Sequence, residues 1–323
     1  MKLLRENEYN TFERLCGLTQ ASVKATMSKF LKTKYNEVVE TKDYIYAIGD
    51  IPIALVAHMD TVFKYPAEEV FYDRVKNVIW SPDGLGADDR AGVFAIIQVI
   101  KQGLRPHIIL TTDEEIGAKG ASALASIDNP FEDLRYIIQL DRRGANDCVF
   151  YDCDNKDFTA YIESFGFVEA IGSFTDISLI CPAWKVAGVN LSVGYRDEHS
   201  VSEVLFVGHL LNTIERVCNM LKQDVIPDFE YVPCSYNRWY TYFKPKDDKH
   251  CNKCKKEFLP EELIPVKTLN GGIEYRCTDC ISSNVDFCMC CGEAFEYVSD
   301  PTNTFNLCED CYYDACYGRQ DKN

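Results

Sequence analysis

Apolar and polar positions alternate with two different periods along the first two-thirds of the chain. Between Asn10 and Lys34 the apolar residues Phe12, Leu15, Leu18, Val23, Met27 and Phe30 recur at helical spacing, which predicts one or two helices. Asn36–Thr41 and Asp43–Ile48 alternate like paired strands, and Gly49-Asp50 turns the chain into an apolar strand over Ile51–Ala57. Phe71–Trp80 reads as one more extended stretch, closed by the turn sequence Ser81-Pro82-Asp83-Gly84. Beyond it the pattern predicts a helix over Ala91–Lys101, a strand over Pro106–Thr112 and a helix over Gly120–Ser126. A strand over Tyr136–Leu140, a helix over Asn155–Phe165, a strand over Lys185–Val193 and a long helix over Val201–Lys222 complete the series. Strands alternating with helices predict an α/β fold, a mixed, mostly parallel sheet sandwiched by helices.

The periodic signal stops near Lys222. Asp224–Asp248 is rich in Pro, Tyr and Asp and reads as a linker or packed extension, and from His250 onward cysteines set the character of the chain. The expected organisation is a catalytic domain over 1–225, a linker or extension over 226–249, and a small zinc-ribbon-like module over 250–323.

Polar residues stand where the apolar runs end. His58 and Asp60 close the Ile51–Ala57 strand, and residues two apart on an extended backbone share a face. One ring nitrogen of His58 is then free for a metal while Asp60 holds the other. Asp88 and Asp89 follow a glycine turn, Glu114 and Glu115 follow the Pro106–Thr112 strand, Asp141 follows Tyr136–Leu140, and His199 precedes the last helix. Ligands in open α/β sheets gather at the carboxyl ends of strands. A nitrogen and oxygen donor set without thiolate suits zinc, with cobalt or manganese as alternatives.

His-Met-Asp-Thr-Val, Gly-Leu-Gly-Ala-Asp-Asp-Arg-Ala-Gly-Val, Thr-Thr-Asp-Glu-Glu-Ile-Gly, the Leu140-Asp141 pair and Gly-Tyr-Arg-Asp-Glu-His-Ser occur in the order and spacing of the co-catalytic dizinc peptidases. Over about Ile45 to Leu221 the chain resembles that clan, which includes tripeptide aminopeptidases, carboxypeptidase G relatives, and tetrahedral and leucyl aminopeptidases. The resemblance implies two catalytic zinc ions. His58 and Asp141 would hold one, Glu115 and His199 the other, and Asp88 would bridge them. It further implies that Asp60 supports His58, that the Asp88–Asp89 peptide is of the kind often cis in the clan, and that Glu114 is the general base toward a water held between the ions. The intervals Asp60–Asp88 and Asp141–His199 are too short for the inserted domains of the larger members, so a compact catalytic unit without a lid is expected. The substrate is expected to be a peptide or small amide, with aminopeptidase action on short peptides in front and N-acyl amino acid deacylase or carboxypeptidase action as the alternative. Arg142 is a candidate for a substrate carboxylate or for ordinary salt bridging to the surplus acids, Asp176 for an acid that supports the ligands or binds a substrate amine, and Tyr195 for a developing oxyanion or for packing alone. Arg90 is expected to make a structural contact at the start of its helix.

Sixteen cysteines would suggest disulfides in a secreted chain, but ten of them lie between Cys251 and Cys316, most as CxxC pairs. With no apolar leader at the N-terminus, that pattern points to zinc thiolates. Cys251, Cys254, Cys277 and Cys280 are expected to close one structural zinc site and Cys288, Cys291, Cys308 and Cys311 a second, paired as sequential ribbons or, as the other option, as an interleaved cross-brace. Such a module would dock a protein partner or cap the enzyme. In a further alternative the chain is a non-catalytic binding protein acting through these fingers. The net charge of −16 argues against nucleic-acid and anionic membrane partners. The expected location is cytoplasmic.

Overall fold

A computed structural model describes residues 2–172, 174–234, 250–258, 263–268, 273–281, 285–287 and 294–296. The chain divides into two units, residues 1–170 with 174–233 in the larger and the remainder in the smaller.

The larger unit opens with helices α1 (Glu6–Cys16) and α2 (Gln20–Lys32), then strands β1 (Glu37–Glu40), β2 (Tyr44–Ile48) and β3 (Ile51–His58). A hairpin of β4 (Phe71–Asp73) and β5 (Val78–Trp80) leads to α3 (Ala87–Lys101), β6 (Pro106–Thr111), α4 (Lys119–Ala125) and β7 (Tyr136–Arg142). Then come β8 (Asp147–Val149), α5 (Lys156–Glu163), β9 (Val168–Glu169), α6 (Ile177–Trp184), β10 (Gly188–Ser192), β11 (Tyr195–Arg196), β12 (Val204–Phe206) and α7 (Val207–Leu221).

Eight strands form the main sheet in the order β1-β2-β6-β3-β7-β10-β8-β9. Its centre, β6-β3-β7-β10, is parallel, and β1-β2, β2-β6 and β10-β8 are antiparallel. The sheet is mixed and mostly parallel with helices on both faces, as the alternation of elements predicts. Every residue of β6 is buried, because a central strand covered on both sides can expose neither side-chain face. Helix α3 is buried from Ala87 to Ile100 and, past Asp88, Asp89 and Arg90 at its start, apolar but for Gln98. It packs on β3 and β7 and is flanked by α1 and α7, with Phe12 and Phe94 meeting edge to face at 5.6 Å. A second sheet, β11-β12-β5-β4, is antiparallel throughout.

Several elements depart from the pattern reading. Phe71–Trp80 is a hairpin and not one strand: Asp73 accepts the N–H groups of Val75 and Lys76, and Asn77 takes φ 60° to turn the chain back. The closing helix starts at Val207, because Val204–Phe206 pairs with β5 before it. Helix α6 and strands β8 and β9 are additions, and β10 begins at Gly188, three residues later than expected. Of the two readings offered for the stretch after Ile226, its described residues pack like an extension. The Ala187 N–H donates to the Phe229 carbonyl, Tyr231 N–H to Lys185 and Asp154 N–H to Val232, so the larger unit runs to residue 233.

In the smaller unit, β13 (Leu263–Lys267), β14 (Ile273–Cys277), β15 (Val285–Phe287) and β16 (Ala294–Glu296) form a sheet in the order β14-β13-β16-β15. Its core is small, built on Cys251, Leu263 and Cys277 with Phe258 and Tyr275 against them. Among the described residues no helix is long and apolar enough to cross a membrane.

Candidate metal centre

Strand β3 ends at His58, which is 1% exposed. Its Nδ1 lies 3.2 Å from Asp60 Oδ1, and its Nε2 lies 3.1 Å from Asp88 Oδ1 and 3.5 Å from Asp141 Oδ1. Asp60 also accepts the N–H groups of Glu114 on Oδ1 and Glu115 on Oδ2, each at 3.0 Å. Burial opposes ionisation of Asp60, but the His58 ring and those two amides more than offset it and hold the carboxyl below its usual range. Asp60 therefore ties the end of β3 to the loop after β6. That loop is irregular, with Asp113 at φ 57°, and Gln20 clamps it by donating to Asp113 Oδ1 at 2.8 Å and accepting the Asp113 N–H at 2.9 Å.

Asp88 sits at the start of α3 in a non-helical conformation, and the Asp88–Asp89 peptide is cis. Its second oxygen, Oδ2, lies 3.2 Å from His199 Nε2, which is itself 3.1 Å from Glu115 Oε2. His199 comes from the loop between β11 and β12 and has φ 64°. Two donor groups thus share one residue: His58, Asp88 and Asp141 in the first, and Asp88, Glu115 and His199 in the second. Glu114 joins His58 and Glu115 in a third.

The residues fit a pair of cations on two counts. Ligands about 2.0–2.1 Å from a tetrahedral zinc stand about 3.3 Å apart, and the four nitrogen–oxygen separations run from 3.1 to 3.5 Å. The acids also crowd one another. Burial and the neighbouring Asp88 push Asp141 up to about 6, and burial, Asp141, Asp176 and Glu115 push Glu114 up to about 9 although His58 pulls it down. Hydrogen bonds accepted by the Asp88 and Glu115 carboxylates raise His199 to about 11. That field is one that positive charge relieves.

The remaining expected residues are placed as follows. The Tyr195 hydroxyl is buried and donates to Asp141 Oδ1 at 3.1 Å, so it is committed to a candidate ligand and not to an oxyanion. Asp176 is fully buried at the start of α6, where Thr111 Oγ1 donates to its Oδ2. A carboxyl with no exposed surface is not placed to meet a substrate amine directly. Arg142 ends β7 one residue past Asp141 and is half-buried. Arg90 donates to the carbonyls of Met59 and Leu18, the structural contact expected of it. A cavity of about 190 Å³ beside Arg90 is walled by Thr61 and Gly86, but no candidate ligand lines it.

Of four supporting residues, Gln139, Thr175 and Glu203 are absent from the sequence reading, and Asp89 figures there without its supporting contacts. Asp89 accepts the N–H groups of His58 at 3.2 Å and Gly92 at 2.8 Å, and a Cβ on Gly92 would stand 2.1 Å from the Leu140 carbonyl oxygen. Gln139 and Thr175 both donate to Asp141 Oδ2, at 3.0 and 2.8 Å. Glu203 accepts backbone N–H groups at the start of α3. Gln139 had a readable signal, a polar residue two before Asp141 in an otherwise apolar strand.

In the smaller unit the sulfurs of Cys251, Cys254, Cys277 and Cys280 gather within 4.8 Å of one another. Cys254 and Cys277 Sγ are 3.9 Å apart, close to the roughly 3.8 Å edge of a zinc–thiolate tetrahedron. Burial pushes the Cys251 thiol up, but N–H groups of Cys254, Cys277 and Lys253 outweigh it and lower the thiol to about 6. The first two knuckles are together. Cys288, Cys291, Cys308 and Cys311 lie outside the described residues.

The chain shares its mixed α/β architecture with several solved structures. A tripeptidase from Staphylococcus aureus subsp. aureus Mu50 superposes with a TM-score of 0.56 at 14% identity, over 68% of this chain and 99% of that one. A TET aminopeptidase from the marine sediment archaeon Thaumarchaeota archaeon SCGC AB-539-E09 gives 0.55 at 14%, over 68% and 98%. An aminopeptidase from the archaeon Desulfurococcus kamchatkensis gives 0.54 at 15%, over 68% and 96%. At these identities the likeness is one of fold. No family model and no curated protein matches the sequence.

Proposed function

We propose that this chain is a dizinc metallohydrolase cleaving a peptide or amide bond, foremost as an aminopeptidase on short peptides. The observation that carries the reading is the division of Asp88: one oxygen is 3.1 Å from His58 and the other 3.2 Å from His199, the disposition of a carboxylate shared by two cations. His58, Asp88 and Asp141 would hold one ion, and Asp88, Glu115 and His199 the other. Zinc suits the donors, with cobalt or manganese as substitutes. When bound, such a pair supplies Lewis acidity toward a carbonyl and acidifies water.

The chain's own residues do the rest. Asp60 fixes the His58 ring and, through the Glu114 and Glu115 amides, the loop that carries the base. Glu114 takes the proton of the attacking water and delivers it to the leaving amine. Tyr195, Gln139 and Thr175 hold Asp141, and Arg142, whose planar fork matches a carboxylate, is assigned to a substrate carboxyl group. Asp176 is assigned to support beneath the site. Cys251, Cys254, Cys277 and Cys280 bind one structural zinc, and Cys288, Cys291, Cys308 and Cys311 a second, in a module that docks a partner or caps the enzyme.

The test is a panel of amino-acid anilides and N-acyl amino acids with protein loaded with zinc, cobalt or manganese. Hydrolysis of anilides is expected, falling at least about 100-fold in Glu114→Gln with metal content unchanged. Equal turnover in that variant removes Glu114 as base. A wild type inert toward the whole panel removes the hydrolase reading and leaves the zinc module as the functional part.

A further inference from the structure

We propose that Glu203 is a positioning residue that fixes the Asp88 peptide relative to His199 and so sets the second cation position; this rests on the dimetal reading above. Glu203 is 1% exposed. Its Oε2 accepts the Ala87 N–H and its Oε1 the Asp88 N–H, both at 3.0 Å. With both oxygens committed to backbone donors, Glu203 is not itself a ligand.

The Asp88 peptide needs such a partner. Gly86 is left-handed at φ 66° and Asp88 is non-helical at φ −81°, ψ 104°, so the first turn of α3 is not held by a regular helical ladder. Amides at a helix start have no partner within the helix, and a buried carboxyl offers two acceptor oxygens that can take two of them at once. Glu203 is that acceptor.

The same residue belongs to the His199 loop. Between His199 and Glu203 the chain closes on itself: Glu203 N–H donates to the Ser200 carbonyl at 3.1 Å, and Ser200 Oγ donates to the Asp197 carbonyl at 2.7 Å. Immediately after Glu203, Val204 pairs with Trp80 across β12 and β5. His199 and the clamp on Asp88 therefore ride on one braced turn, four residues apart. A shift of Glu203 moves Asp88 Oδ2 relative to His199 Nε2, the pair now 3.2 Å apart, and leaves the His58 end of the site anchored by Asp60 and Asp89.

Glu203→Gln keeps the shape but sets an amide NH2 against one of the two backbone donors. The full chain, with its thiolate sites filled and its exchangeable ions stripped, is titrated with cobalt and followed by equilibrium dialysis and visible absorption, beside wild type and His199→Ala. The expected result is at least a 10-fold loss of affinity for one of two exchangeable ions and less than a 3-fold change for the other. The spectrum of the retained ion should match that of His199→Ala. Glu203→Asp, which keeps the charge one methylene short, should show a smaller loss of the same ion and serves if the glutamine variant does not fold. Unchanged affinities in both variants, or equal losses of both ions, overturn the proposal while a wild type holding two exchangeable ions leaves the dimetal reading intact. A wild type that binds no exchangeable pair overturns both.

Discussion

Asp60→Asn removes one charge and no volume, and its effect follows from three contacts. The carboxylate accepts two backbone N–H groups at 3.0 Å and touches His58 Nδ1 at 3.2 Å, at 8% exposure. An asparagine accepts one of the two amides and presents its own NH2 to the other. The loss is a charge-assisted hydrogen bond, about 1.5–3 kcal/mol, plus a backbone donor left facing another donor, about 1–3 kcal/mol. Two effects reduce that sum: the carboxylate's burial cost disappears, and the half-buried Glu114 and Glu115 leave water some access to the freed amide. A net destabilisation of about 2 kcal/mol remains. For a unit of this size each kcal/mol moves Tm by about 2–4 °C, so ion-free Asp60→Asn should melt about 4–8 °C below ion-free wild type. Hydrogen exchange gives the local reading: the Glu114 and Glu115 amides should speed up, while those of β6 keep their protection. A Tm within about 1 °C of wild type, with both amides still protected, would refute the claim that Asp60 holds the base-bearing loop.

His107 supplies a pH prediction away from the metal centre. Its Nδ1 accepts the Gly49 N–H at 3.1 Å, its Nε2 meets Asp133 at 3.0 Å, and burial lowers its pKa although Asp133 works the other way. A depressed histidine stabilises the fold fully above its ordinary pKa of about 6.5 and loses that contribution as pH falls through the folded value. Tm should therefore drop between about pH 7.5 and 5.5 more steeply in wild type than in His107→Gln, and parallel slopes would refute the assignment. In the smaller unit, Cys254→Ser should lose one tightly held zinc by elemental analysis and the amide protection of β13 and β14, with exchange in the larger unit unchanged. Retained zinc and protection would dissociate that cysteine from the site.

The parts of the site readable in the sequence are those whose partners are side chains at regular spacing. His58 and Asp60 stand two apart at the end of an apolar run, and the run became a buried strand. Asp141 likewise closes an apolar run, although β7 carries it inside the strand and not after it. Gln139 and Thr175, on the Asp141 side chain, escaped the reading, and so did the contacts made to backbone. Asp89 and Glu203 accept N–H groups of His58, Gly92, Ala87 and Asp88, and a backbone donor has no letter in the sequence to mark it. The fold failed to show through at comparable places. The β4–β5 hairpin turns on a left-handed Asn77 and on Asp73 folding back on its own chain, inside a run whose apolar alternation does not break. Helix α6 is mostly apolar and contains Pro182, so neither amphipathic period nor a clean stop announces it.

The acidity of the chain takes on a different meaning once its location is considered. Asp60, Asp88, Asp89, Asp176 and Glu203 are all buried, and Glu114, Glu115 and Asp141 stand with them at the same edge of the sheet. Among the described residues the buried arginine beside them is Arg90, a single positive charge that donates to the carbonyls of Met59 and Leu18. Surface acids repel one another through water and cost little, whereas buried ones need a counter-charge or a proton. The pressure on Asp141, Glu114 and His199 is the measure of that need. The two dications proposed here would contribute four positive charges where the deficit lies, so filling the centre and consolidating the loops that carry Glu115 and His199 would be one equilibrium. On that reading the surplus of acid in the sequence is partly a ligand field, and chelation should loosen those two loops before it touches the sheet.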